Sequence, residues 1–423
     1  MSESYDVAVF GGGLAGVAAA LAASSNGALV ALFERSSVLG GNASLAQVHT
    51  ICGFYHAVEV GAQPLPAHEG ITRRIIDFLS EHGALRDPVV QGKVAYVPIQ
   101  SGVLDSALQK MMIKHTSVDL CLDSQIRACS LKNKEFLFQN GDETIRSRYV
   151  IDATGGANMA AAWQLPTTEV SSSDAQIMSY IVRVSGLQYE SPRKPQDSLN
   201  VSVAASRGLI GHQVSSLIGS VTCQFDSDNS CYLALNLNRK TGSEFAPLKV
   251  SENHQLREEC REALPDLLSL LASRLPGWRS ATVTHYPETV GVRESRVLSG
   301  RTCLSGDDLQ AGKQFEDAIA WATWPMEIWD DPQGARYDYF PKAVGIPLGC
   351  LISKAHGRLG AAGRCASADH RALGSIRVLG TAMATGQAIG TAAALAAFQD
   401  CELYEVDVAE IHQKLEGLEM VFK

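Results

Sequence analysis

Apolar and polar positions along the chain follow two different periods, and the changes between them outline the fold. An unbroken apolar run, Val7 to Phe10, is followed by a glycine cluster and a stretch of small residues with helical patterning. A second apolar run, Ala28 to Phe33, comes next. Short runs of this kind read as strands buried on both faces, so the opening reads as a strand–helix–strand unit of the parallel type. Within residues 69–85, Ile71, Ile75, Phe78 and Leu79 recur at helical spacing, with Gly83 placed to end the helix. Leu104, Leu108, Met111 and Met112 make a second such stripe. Strands are predicted over Val118–Leu122, Phe136–Gln139 and Tyr149–Ala153, the last two joined by a turn at Asn140-Gly141. Beyond Trp163, strands are predicted over Ile177–Val184 and Ser230–Asn238. There Ser251 is placed to cap a helix interrupted at Pro265 and ended near Pro276-Gly277. A last helix, carrying Gly386 and Gly390, is expected to open near Ala382. The predicted class is α/β: a Rossmann-like domain with an inserted, mixed but mostly antiparallel substrate domain.

With 423 residues the chain exceeds what one hydrophobic core fills. The expected division is 1–162 and 285–423 for a discontinuous nucleotide domain and 163–284 for the insertion, with 306–345 assignable to either. A net charge of −9 would repel a phosphate backbone, which argues against a nucleic-acid partner. Ten cysteines are scattered without a C-x-x-C pair, and Cys365 and His370 lack two further neighbours for a zinc cage, so no metal is expected. The cysteine pattern suits a reduced, cytoplasmic compartment. The N-terminus has no secretory pattern, and the apolar stretch from Gly13 to Phe33 is broken by Ser-Ser-Asn-Gly, so no membrane span is expected.

Candidate chemistry begins at Gly11-x-Gly13-x-x-Gly16. Such a motif needs glycine for a tight turn, for approach of a pyrophosphate to the backbone and for contact between helix and strand. The first helical turn, Leu14, Ala15 and Gly16, then presents free N–H groups to phosphate. Glu34 ends the second strand at about the twenty-residue offset of an acid that binds ribose hydroxyls, and Arg35 follows. Gly40, Gly41 and Asn42 lie just beyond. Here the chain resembles FAD-binding flavoproteins of the glutathione-reductase-like fold, and Ala153-Thr154-Gly155 is a second signature of that group. The resemblance implies one FAD, bound without a covalent link. A redox-active C-x-x-x-x-C pair is missing, since "NASLAQVHTICGFY" holds only Cys52, and His49 and Cys52 read as structural.

The segments "VGVRESRVLSGR", "FEDAIAWATWPMEI", "IPLGCLISK", "AGRCASADHRALGSIRV" and "TGQAIGTAAALAA" together resemble FAD-dependent oxidoreductases distantly related to fumarate-reductase and succinate-dehydrogenase flavoproteins. The likeness implies that Gly363-Arg364 lies beside the flavin and that Leu373 to Val378, including Ser375 and Ile376, passes its ring. The N-terminus of the final helix would then face the reduced flavin's negative charge. Arg293, Arg296 and Arg377 become candidates to bind an anionic substrate, with His370 to exchange its proton. Where many members carry a histidine, this chain has Trp329.

The implied activity is hydride transfer between flavin N5 and a small, carboxylate-bearing metabolite, with an external electron donor or acceptor. A monooxygenase or oxidase using O2 is the alternative within enzymes. A non-catalytic flavoprotein or RNA-modification subunit is the alternative outside them.

Overall fold

A computed structural model describes residues 4–59, 62–115, 117–132, 134–170, 175–189, 195–226, 229–238 and 250–415. The main elements are β1 (Ser4–Phe10), α1 (Leu14–Ser25), β2 (Val30–Phe33), α2 (Ile71–Glu81), α3 (Ser101–Ile113), β3 (Val118–Cys121), β4 (Ile126–Lys132), β5 (Glu135–Asn140) and β6 (Glu143–Asp152). There follow β7 (Ser179–Ser185), α4 (Pro195–Leu209), β8 (Ile218–Phe225), β9 (Cys231–Leu237), α5 (Val250–Arg274) and β10 (Thr282–His285). The chain closes with β11 (Met326–Asp331), β12 (Gly334–Asp338), β13 (Leu359–Ala361), α6 (His370–Ile376) and α7 (Leu379–Gln399).

A seven-stranded sheet runs in the order β3-β2-β1-β6-β5-β4, and β13 also pairs with β6. The β3, β2, β1, β6 and β13 contacts are parallel, while β4, β5 and the start of β6 form an antiparallel meander. Strand β6 starts earlier than the hydrophobic run at Tyr149 predicts. Its first half pairs with β5 (Phe136 opposite Ser147), and its second half pairs with β13. The sheet therefore joins the first and last thirds of the chain.

Those thirds are also locked together by α1 and α7. Both helices are nearly all small residues, and a Cβ added at Gly386 or Gly390 would collide with the backbone carbonyl of Ala15 or Ala19. Glycine is required at this crossing because backbone meets backbone. Helix α7 opens at Leu379, three positions before the expected start, with Val378 as its N-cap.

The second sheet, β8-β9-β7-β10, is antiparallel. Tyr180, Val182 and Val184 point from β7 into a core shared with Leu256, Leu264, Leu267 and Leu271 of α5 and with Val201 and Ala205 of α4. The alternate residues Ser179 and Ile181 face the other way, into a cavity. Helix α5 is not interrupted at Pro265: it continues to Arg274. The missing N–H loses one helical bond, while Leu264 and Leu267, at 1% and 0% exposure, anchor the turns on either side. Ser251 lies inside the first turn of this helix rather than before it. Helix α4 and strands β4, β8 and β10 fall where the sequence reading predicts no element. Among the described residues, no single helix is long and apolar enough to cross a membrane.

Candidate functional site

A cavity of about 740 Å³ opens along the carboxyl ends of the parallel strands, within the range of about 300–1,000 Å³ usual for ligand clefts. The crevice beyond the strand ends is where open α/β sheets place ligands. Its floor is the glycine loop. Gly11 has φ +102°, and a Cβ there would lie 2.5 Å from the Ala153 carbonyl oxygen. Gly13 caps α1 with no side-chain cap bond, so the first-turn N–H groups of the helix are not satisfied by a side chain. Leu14 and Ala15 line the cleft. Gly16 does not: it packs against the Gly11 carbonyl and serves the contact between helix and strand.

Glu34 lines the same cleft and holds the loop in shape, accepting from the Gly12 N–H (2.6 Å) and from the Ser36 N–H (2.9 Å) and hydroxyl (3.0 Å). Arg35, Gly40, Gly41, Asn42, Ala153, Thr154, Gly155, Gly363 and Arg364 are all on its walls. Two residues behind the wall escaped sequence reasoning. The fully buried Asp152 accepts from Thr154 N–H (3.1 Å), Thr154 hydroxyl (2.6 Å), Met159 N–H (2.8 Å) and Ala160 N–H (3.0 Å). The Cys365 sulfur takes the N–H groups of Gly155 (3.1 Å) and Ala157 (3.2 Å). Together they shape the Ala153-Thr154-Gly155 turn.

A second cavity, of about 430 Å³, adjoins the first, and Asn42, Val292, Arg364, Arg377 and Leu379 line both. Its other walls come from the β7–β9 sheet (Ser179, Ile181, Thr222, Gln224, Ala234), from Thr50 and Cys52, and from Trp324, Glu327, Tyr337 and Tyr339. Arg293 and Arg377 supply cations with no salt bridge among the described residues. Arg293 donates to the Ile177 carbonyl (2.7 Å) and Asn236 (3.1 Å) and lies over the Trp329 ring at 4.3 Å. Burial, and then the charge of Arg377, lower its guanidinium to about 9, so it remains cationic at neutral pH. Arg377 donates to Gln176 (3.2 Å) and the Glu327 carbonyl (3.0 Å), and its Nε is buried without a partner. Arg364 donates to the Val292 carbonyl, and burial lowers it to about 10. The Glu327 carboxylate is fixed by two indole N–H groups, Trp324 at 2.9 Å and Trp329 at 2.7 Å. Trp329 thus does structural work where a titrating histidine was expected. Cys52 is pushed up to about 12, first by burial and then by Glu327, so it carries no thiolate.

Besides Gly16, four candidates from the sequence are not on these walls. His370 lies between two acids, with Nδ1 2.7 Å from Glu294 and Nε2 2.8 Å from Asp330. The hydrogen bond to Glu294, only 1% exposed, raises its pKa and ties the ring to the two acids. Arg296 pairs with Glu169 at 3.6 Å and lines neither cavity. Ser375 donates to the Trp324 carbonyl, and Ile376 is fully buried. The reason is local: residues 370–376 coil into α6, so only Arg377, Val378 and Leu379 reach the cavities.

The family model for FAD dependent oxidoreductases matches residues 6–415. The chain belongs to that family. It binds FAD non-covalently, and the glycine cradle, the unpaired first turn of α1 and the buried, acid-free Arg364 suit that group. No curated protein sequence matches the chain. Among solved structures it is similar to the Diels-Alderase PyrE3 of pyrroindomycin biosynthesis (TM-score 0.51, 11% identity, 99% of this chain and 70% of that one). It is also similar to CabE, an aromatic hydroxylase from angucycline biosynthesis (TM-score 0.51, 12% identity, 99% of this chain), of which it spans just under two thirds, 66%. The p-nitrophenol 4-monooxygenase PnpA of Pseudomonas putida DLL-E4 is a third likeness (TM-score 0.50, 11% identity, 100% of this chain and 86% of that one). At these identities the likeness is one of fold.

Proposed function

We propose that this oxidoreductase exchanges a hydride with a small, anionic metabolite held in the second cavity, its FAD half being arranged as in glutathione-reductase-like flavoproteins. The observation that carries this reading is the shared wall. Arg377 lines both cavities and, with Arg293, offers positive charge that no acid among the described residues cancels by direct contact. FAD, when bound, supplies a two-electron acceptor or donor. The first turn of α1, Thr154 and Gly155 would hold its diphosphate side, and Arg364, Arg377 and Leu379 the end next to the second cavity. Arg293 and Arg377 would seat a carboxylate. Glu327, immobilised by Trp324 and Trp329, orients the charged wall.

The direct test is to mix the holoenzyme anaerobically with a panel of small carboxylates, with uncharged analogues as controls, and follow the visible flavin band. Bleaching by acids and not by their amides supports the reading; bleaching by uncharged analogues alone would sink it. A second reading, a monooxygenase or oxidase, is favoured by the aromatic side of the same cavity, Tyr96, Tyr337, Tyr339 and Trp324, which suits a flat ring. Two of the proteins of similar fold are hydroxylating enzymes by name. Rapid reoxidation by O2 with a hydroxylated product or peroxide would select it.

A further inference from the structure

The second cavity contains a histidine with one nitrogen committed and the other basic. His49 stands just before Thr50–Ile51, a short strand paired with Val94–Pro98. Its ring lies flat against Tyr232 of β9, with centroids 4.4 Å apart and planes 1° from parallel. Nδ1 is 3.2 Å from the Gln47 carbonyl. A carbonyl oxygen only accepts, so Nδ1 carries the proton, and in the neutral ring Nε2 is the basic atom. These contacts, with the Gln224 side chain as a further hydrogen-bond partner of the ring, fix its plane and tautomer in the cavity that Arg293 and Arg377 also line.

We propose that His49 is the proton-transfer residue of this enzyme, its Nε2 exchanging a proton with the anionic substrate seated by Arg293 and Arg377. The proposal rests on the reading of the second cavity as the substrate site. For a 2-hydroxy acid, the carbinol O–H bond breaks and its proton moves to Nε2. The neighbouring C–H bond breaks with its electron pair leaving as hydride to FAD, and a C=O bond forms. The carbinol is oxidised, FAD is reduced, and an external acceptor returns it to the oxidised state. In the opposite direction the imidazolium returns the proton.

Burial holds His49 down at about 4 in the empty cavity, against the opposing pull of Gln47, Gln224 and Asp226. Asp226 is itself paired with Arg86 and Arg183. Arg293 and Arg377 line the same cavity, where positive charge disfavours a charged ring, whereas Asp226 favours it. A bound carboxylate offsets those two cations and raises the ring's proton affinity. Anion binding should therefore take up a proton.

Benzoate, which supplies no hydride, is the probe. Its affinity for the holoenzyme, read from the shift of the flavin band between pH 5 and 8, should rise as pH falls. His49→Gln should lose that slope while keeping FAD, and Glu327→Gln should keep it. Anaerobic flavin reduction by the best carboxylate of the panel should fall about 10²–10⁴-fold in His49→Gln. In His49→Ala it should recover with free imidazole in proportion to its unprotonated form. Should His49→Ala fail to retain FAD, His49→Asn, which keeps an amide near the Gln47 carbonyl, takes its place. An unchanged benzoate slope together with reduction within threefold of the parent overturns the role of His49 and leaves the cavity reading standing. A holoenzyme that binds no benzoate at any of these pH values overturns the cavity reading, and the role of His49 with it.

Discussion

The two cavities are neighbours built by different means. The larger is made mostly of backbone: glycine turns, helix N–H groups and a loop shaped by Asp152, Glu34 and the Cys365 sulfur. The smaller is made of side chains from segments as far apart as His49, Gln224, Glu327 and Arg377. Backbone geometry tolerates little change of residue, because a single added carbon collides with a carbonyl. A side-chain wall tolerates more, because its groups can be exchanged one at a time. The first should therefore fail abruptly under substitution and the second by degrees.

The sharpest break is expected at Gly11→Ala. A Cβ beside the Ala153 carbonyl and a left-handed φ each cost about 1–3 kcal/mol. FAD affinity should drop about 10²-fold or more, measured by retention of the 450 nm band (roughly the flavin maximum) on gel filtration; undiminished retention would refute the backbone account of the cradle. Next comes Arg377→Ala, which should weaken benzoate about 10–100-fold and FAD by clearly less, since bonds to charged groups contribute roughly 1.5–3 kcal/mol and FAD keeps the rest of its cradle. Equal loss of FAD and benzoate would show the two cavities to be one site.

Trp329→His should have a smaller effect. It removes the aromatic face from Arg293, a contact of about 0.5–2 kcal/mol, and one of the two indole bonds to Glu327. Benzoate should weaken by about threefold to thirtyfold, and stronger binding would contradict the role given to the indole. His370→Phe should change neither ligand's affinity but should lower stability. The raised pKa of His370 means its contribution is complete below about pH 6.5, the unfolded value, and is lost as pH rises through the folded value. Denaturant midpoints of parent and variant should thus differ most below about pH 6.5 and draw together as pH rises above it; a gap independent of pH would argue against an ionic contribution from His370.

The contrast also explains what could be read in advance. Gly11, Gly13, Glu34, Gly40, Gly41 and Thr154-Gly155 are recognisable because a backbone cradle needs particular residues at fixed short spacings. Gly386 and Gly390 marked the last helix in the same way, but that their partner is α1 came only from the structure. Helix α4 and strand β8, which pack on each other, and β10, at the opposite edge of their sheet, were missed because no motif marks elements whose place is set by such packing. Pro265 was overweighted: the local cost of a proline is smaller than the burial on either side of it.

The catalytic assignment shows the same limit. His370 and Arg296 sit among motif residues, so proximity in sequence made them look functional, yet α6 turns residues 372–376 into the interior and the acids Glu294 and Asp330 claim the imidazole. His49, set aside as structural, reaches the cavity because the antiparallel sheet brings Tyr232 to its face. By itself, then, the order of residues determined the dinucleotide cradle, the α/β class and the joining of the two ends of the chain, since each follows from short-range spacing and small-residue contacts. Only the tertiary structure decided which charged and titratable side chains share the second cavity, because that depends on where distant strands and helices pack, and no local period encodes it.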